Sequence, residues 1–204
     1  LLERLASRAV RSRAALLVAT GELLGRFPDA TGADTAADIL VHHAVAGQGS
    51  RRDVGERLEA MAALWGLAAA ASPRTTGHLL DLAIESSDGV MRAMAIRLAG
   101  AAQPPRLAPQ LWQLELDWRR HREFATMLLR RLLVPWLEPD DAAMGAALKA
   151  VEGPLLQRAR SHFAAAGQLE ARIRWCRGLG HGLAGAPALQ KWCSQSAIGF
   201  PSGP

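Results

Sequence analysis

Residues 73–102 read PRTTGHLLDLAIESSDGVMRAMAIRLAGAA, and they decide the fold because they describe two short amphipathic helices folded back on each other. Ser72 is placed to cap the first helix, with Pro73 at the first helical position, where a missing N–H is no loss. Leu79, Leu80, Ala83 and Ile84 then form one apolar stripe. Ser86, Ser87, Asp88 and Gly89 interrupt the pattern. A second helix turns Val90, Met91, Met94, Ala95 and Leu98 inward and Arg92 and Arg97 outward, and Gly100 suits the left-handed position that ends a helix. Neither helix buries its stripe alone, which is the property of a unit that stacks on others like it.

Outward from this hairpin, helical spacing continues in both directions. Towards the N-terminus, residues 51–71 predict a helix that buries Val54, Leu58, Met61, Leu64, Trp65 and Leu67 and leaves Arg52, Glu56 and Glu59 in water. Gly47 to Ser50 break the chain before it, and Asp34 opens a helix ending near Ala46. Residues 1–27 place Leu2, Leu5, Ala9, Leu16 and Leu23 at helical intervals, followed by a loop at 27–32. Towards the C-terminus, Pro104 and Pro105 open a pair at 107–118 and 121–137. Pro139, Asp140 and Asp141 open another, at 141–151 and 154–166, divided at Gly153. The openings at Pro73, Pro104 and Pro139 lie 31 and 35 residues apart, the interval of two-helix units. A helix at 168–177, a glycine-rich hinge at 180–185 and a short helix at 187–196 complete the chain.

The expected fold is therefore all-α: a solenoid of antiparallel helix pairs, with a compact helical bundle as the alternative. One helical-repeat domain spans 1–204, with an N-terminal helix in 1–31 and a C-terminal helix and frayed tail in 186–204. No stretch alternates β-branched residues with the period of two that a sheet requires. No apolar run approaches the ~20 residues needed to span a bilayer.

Residues 88–100 resemble the second helix of a HEAT repeat, in which an acidic residue precedes a hydrophobe and Arg, then small residues, then a hydrophobe and Gly. Asp88, Met91 with Arg92, Met94 with Ala95, Leu98 with Ala99, and Gly100 occupy those places. The resemblance covers this one repeat; elsewhere only the spacing agrees. It implies a right-handed stack with a concave face, used by most relatives to hold another protein, in which Asp88 and Arg92 tie neighbouring repeats together. It also brings in a catalytic alternative. Some bacterial relatives are DNA-repair glycosylases that use an acidic residue and tryptophans on that face, residue types supplied here by Asp117 with Trp118 and Glu115 with Trp112.

Charge points to the second half of the chain. Residues 1–102 hold 11 Arg against 11 acids, whereas residues 103–204 hold 13 cations against 8, so the whole formal excess of +5 lies there. Such asymmetry suits an acidic partner. On one continuous helix, Arg119 and Arg130 share a face and Arg120 and Arg131 a neighbouring one, opposite Phe124, Leu128 and Leu132, with Trp118 at the start. Arg158, Arg160, Arg172, Arg174 and Arg177 form a second cluster, interleaved with Trp175. Guanidinium groups grip carboxylates or phosphates bidentately, and Arg with Trp is enriched at protein interfaces. The competing reading of each run is a solvated face partly paired with nearby acids.

Other constellations make no positive case for catalysis. GHGLAG at 180–185 satisfies the letter of the dinucleotide pattern, but RIRWCRGL is the only candidate strand before it and no acidic residue follows Glu170. Asp38 and His42 face each other one helical turn apart without a third ligand to make a metal site. No nucleophile elbow or phosphate-binding loop occurs. Most of the six tryptophans occupy apolar positions and are expected in the core, with Trp118 and Trp192 the most exposed. Cys176 and Cys193 have sixteen residues between them and are expected as reduced thiols of a cytoplasmic protein, a disulfide being the alternative.

These readings converge on a cytoplasmic, bacterial, non-catalytic scaffold without cofactor or metal. It docks an acidic or amphipathic protein segment through Trp118, Arg119, Arg120, Arg130, Arg131, Arg172, Arg174 and Trp175. Two rivals remain: a nucleic-acid-binding HEAT-like protein, including the glycosylase reading, and a helical domain permanently covered within a larger assembly.

Overall fold

The computed structural model of the chain describes residues 13–46, 54–101, 140–165 and 167–197. Their regular structure is helical throughout, with no strand among the described residues. The helices are α1 (Ala14–Arg26), α2 (Ala33–Ala46), α3 (Val54–Ala70), α4 (Pro73–Glu85), α5 (Gly89–Gly100), α6 (Asp141–His162), α7 (Leu169–Arg177) and α8 (Pro187–Ala197), with a 3₁₀ turn at Gly180–Gly185. The all-α expectation holds. The pair expected at 107–118 and 121–137 lies outside the described residues.

Helix α3 is the centre of the N-terminal half. Residues 60–68 are buried without interruption, so the polar residues that make a surface helix amphipathic are confined to its first turns. Helices α1 and α2 cover one side of it, and α4 and α5 the other. Where α1 crosses α3, Gly21 faces Gly66: a Cβ on Gly21 would collide with the Gly66 carbonyl, and one on Gly66 with the carbonyl of Leu17. The expected inward position of Leu23 is not observed; it is 44% exposed, although Gly25, further along α1, still lies close to the Ala69 carbonyl of α3.

The α4–α5 hairpin forms as its sequence predicts. Ser72 Oγ accepts from Thr75 N at 3.1 Å, and Ser72 N donates to Thr75 Oγ1 at 3.2 Å, a reciprocal cap at the start of α4. Asp88 Oδ1 accepts from Val90 N at 2.8 Å and Met91 N at 3.3 Å at the start of α5. Leu79, Leu80, Ala83, Ile84, Met91, Met94, Ala95 and Leu98 are all buried. Three details differ. Val90 is exposed in the first turn, and Ile96 takes an inward place instead. Arg92 and Arg97 are half-buried, because α5 is flanked by α3, α4 and α6 and has no wholly free face. Gly100 is the last residue of α5 and does not turn into the left-handed region; it is small because a Cβ there would overlap the backbone of Ala147 on α6.

Helix α6 replaces two expected helices with one of 22 residues, Pro154 lying inside it. Gly153 and Pro154 are both exposed. The carbonyl of exposed Ala150, deprived of its donor by proline, can be hydrated, and Gly153 has no Cβ to crowd the ring. Contacts then pass along the chain, from α1 and α2 to α3, from α3 to α4 and α5, and from α4 and α5 to α6. Helix α6 carries the 3₁₀ turn and α8, while α7 packs against α8.

Candidate interaction surface

The C-terminal unit is built from α6, α7, the 3₁₀ turn and α8 around three aromatic rings. Phe163 ends α6 and packs its ring 5.9 Å from Trp175 and 6.3 Å from Trp192, centroid to centroid, while the two indoles meet edge to face at 6.4 Å. Trp175 is 2% exposed, and its Nε1 donates to the Ala83 carbonyl at 2.9 Å, joining α7 to α4. The expectation that Trp175 contacts a partner does not fit a side chain spent on the core in this way. Trp192, expected exposed, is also buried, because its cation neighbour in space covers it.

That neighbour is Arg172. Its guanidinium carbon sits 3.8 Å above the Trp192 ring, and one terminal nitrogen donates to the Trp192 carbonyl at 2.6 Å. Burial lowers the Arg172 pKa from the ordinary arginine value and nearby Arg160 lowers it further, though an arginine remains a cation at any physiological pH. Arg172 therefore does two things: it fastens α8 to α7 and, with Arg160, concentrates positive charge.

The other arginines of the cluster divide by use. Arg158 Nε donates to Asp81 Oδ1 at 2.9 Å and ties α6 to α4. Arg160, Arg174 and Arg177 are exposed and make no ion pair among the described residues. Two of the unit's acids cap helices. Asp140 caps α6 through Ala143 N at 2.9 Å. Glu152 accepts from Ala188 N at 2.6 Å and Leu189 N at 3.0 Å, capping α8 across space. Sequence reasoning missed this last role, since nothing local links a carboxylate on α6 to a helix 36 residues later.

The other predicted positions fall as follows. Trp118, Arg119, Arg120, Arg130 and Arg131, with Trp112, Glu115 and Asp117, lie outside the described residues. Asp88 accepts an ion pair from Arg57 on α3 at 3.0 Å, and Arg92 lays its guanidinium against Gly178 at the end of α7. Asp88 thus caps its own hairpin and also meets α3, while Arg92 reaches α7. Burial lowers the Arg92 pKa from the ordinary arginine value, opposed by Asp88.

The GHGLAG segment is a 3₁₀ turn preceded by helix, not strand, and Gly182 and Gly185 press against Met144 and Gly145 of α6. It is a packed contact rather than the expected hinge. Asp38 faces Arg74 at 3.4 Å, and no group of three potential metal ligands occurs among the described residues. No described helix is long and apolar enough to cross a membrane. Cys176 and Cys193, expected as reduced thiols, are joined as a disulfide with Cα atoms 5.6 Å apart, because α7 and α8 bring them face to face.

Fold and surface together define an all-helical protein of sequentially packed helices with a basic C-terminal unit. No protein-family model, curated protein or solved structure matches the chain.

Proposed function

We propose that the chain is a non-catalytic scaffold of HEAT-like helix pairs that docks an acidic or amphipathic segment of another protein through its basic C-terminal half. The observation that carries this reading is the set Arg160, Arg174 and Arg177, exposed on α6 and α7 without an ion pair among the described residues, beside half-buried Arg172. These guanidinium groups on α6 and α7, without an ion pair among the described residues, meet carboxylates spaced along one face of a partner helix, each pair bidentate. The order of packing supports the stacked-repeat part of the proposal, since contacts pass from one helix group to the next along the chain. In a continuous stack, Arg119, Arg120, Arg130 and Arg131 would add to the same basic half.

The test is capture from the native lysate by the full chain, with and without nuclease and at two salt concentrations, for the parent and for a triple variant Arg160→Glu, Arg174→Glu, Arg177→Glu. The proposal expects one discrete protein that survives nuclease and moderate salt and is lost from the triple variant while helicity stays unchanged. Nucleic acid alone, released steeply as salt rises, overturns it in favour of phosphate recognition. Equal capture by parent and triple variant overturns the assignment of the site.

A further inference from the structure

The Cys176–Cys193 bond stands at one end of an otherwise non-covalent attachment. Helix α8 is 11 residues long, too short to persist alone in water, and it is held at two places. Its first turn is capped by Glu152 and anchored by buried Leu189. Its later turns are held by the disulfide and by Arg172, which stacks on Trp192 and bonds the Trp192 carbonyl. Cys176 and Cys193 are buried but less enclosed than Met91 and Met94 of the hairpin, at 7% and 8% exposure, so the bond lies at the margin of the core. Arg172 lies one helical turn before Cys176, on the same face of α7.

We propose that this disulfide is a redox-operated clasp: reduced, it releases the later turns of α8, which swing away about the Glu152-capped first turn and uncover Phe163 and Trp175. The chemistry is thiol–disulfide exchange with a dithiol. One thiolate of the reductant attacks one sulfur, forming a mixed disulfide and expelling the other cysteine as thiolate. The second thiol of the reductant then attacks the mixed disulfide, expels the remaining cysteine and closes the reductant's own disulfide. Two electrons and two protons pass to Cys176 and Cys193, and the dithiol is oxidised. In a compartment kept reducing, a bond of this kind is transient and reports oxidation. The surface that opens adjoins Arg160 and Arg174, but the opening itself does not depend on the docking proposal.

The experiment uses the full chain, oxidised in air and then titrated with dithiothreitol, with free thiols counted at each step. Hydrogen exchange is followed across residues 187–197 and across α3 to α5, together with tryptophan fluorescence. The expected result is two thiols appearing as exchange in 187–197 rises at least tenfold, tryptophan emission shifts red, and α3 to α5 stay unchanged. A double variant Cys176→Ser, Cys193→Ser should match the reduced chain without reductant. Unchanged exchange in 187–197 after full reduction overturns the clasp, as does loss of protection throughout α3 to α5, which would make the bond a staple of the whole fold. Two free thiols persisting in the air-oxidised chain also overturn it.

Discussion

Trp175 donates its indole N–H to the carbonyl of Ala83, 92 positions earlier, and so ties the C-terminal unit to the hairpin. The Ala83 carbonyl belongs to the last turns of α4, near the end where intrahelical donors run out. Replacing Trp175 by Phe keeps much of the ring but strands that carbonyl, and should cost about 1–3 kcal/mol. Replacing it by Ala also empties the space against Phe163 and Trp192, and should cost about 3–5 kcal/mol. Urea midpoints of both variants check this; equal losses would mean that the hydrogen bond carries nothing of its own.

Asp88 caps α5 and accepts an ion pair from Arg57, and the two roles can be separated. Asp88→Asn retains an oxygen for the cap but no charge, and should cost less than about 1 kcal/mol, since a partly exposed ion pair contributes little. Asp88→Ala removes both and should cost about 1–2 kcal/mol. Chemical denaturation of the pair decides which role dominates: a loss in the Asn variant as large as in the Ala variant would give the ion pair the greater part.

Ala71, between α3 and α4, has a φ of 49°, in the left-handed region where a Cβ is strained. Relief of that strain outweighs the freedom glycine gains in the unfolded chain, so Ala71→Gly should stabilise the protein by about 1 kcal/mol. A raised thermal midpoint is the expected outcome, and a lowered one would mean that the methyl group makes a contact worth more than the strain.

His43 is held below the ordinary histidine value of 6.5, first by burial and then by Arg13 and His42. The unfolded chain therefore binds this proton more readily than the folded one. Stability should be full above the unfolded value and fall as pH drops from there through the depressed folded value. His43→Gln should flatten this part of the profile, measured as thermal midpoints from pH 8 to about pH 5. Were stability to rise on acidification instead, the Glu59 carboxylate 3.7 Å from Nδ1 would be the stronger influence.

What sequence could show was local. Ser72 with Pro73 announced the start of α4, and the spacing of Leu79, Leu80, Ala83 and Ile84 its buried face, because both are set within a few residues. What it missed depended on distant neighbours. Gly100 looks like a helix terminator until Ala147 is brought against it, and Gly153 with Pro154 looks like a break until one sees that water serves that face of α6. The candidate surface divides in the same way. Arg174 is exposed, as its place among charged residues suggested, whereas Trp175 is withdrawn by a hydrogen bond to a residue no local pattern relates to it. Trp192 went unrecognised as core because its cover, Arg172, comes from another helix.

The contact of Gly21 with Gly66 sets where the molecule can give way. Side chains between helices act as bearings that tilt and let one rod slip along another; two backbones in direct touch have none. Helix α1 is keyed to α3 at that point, and even a methyl group on Gly21 would part their axes. The N-terminal half thus behaves as a fixed post. A shape change in this protein must be sought at the far side of the hairpin, where attachment is made by removable bonds.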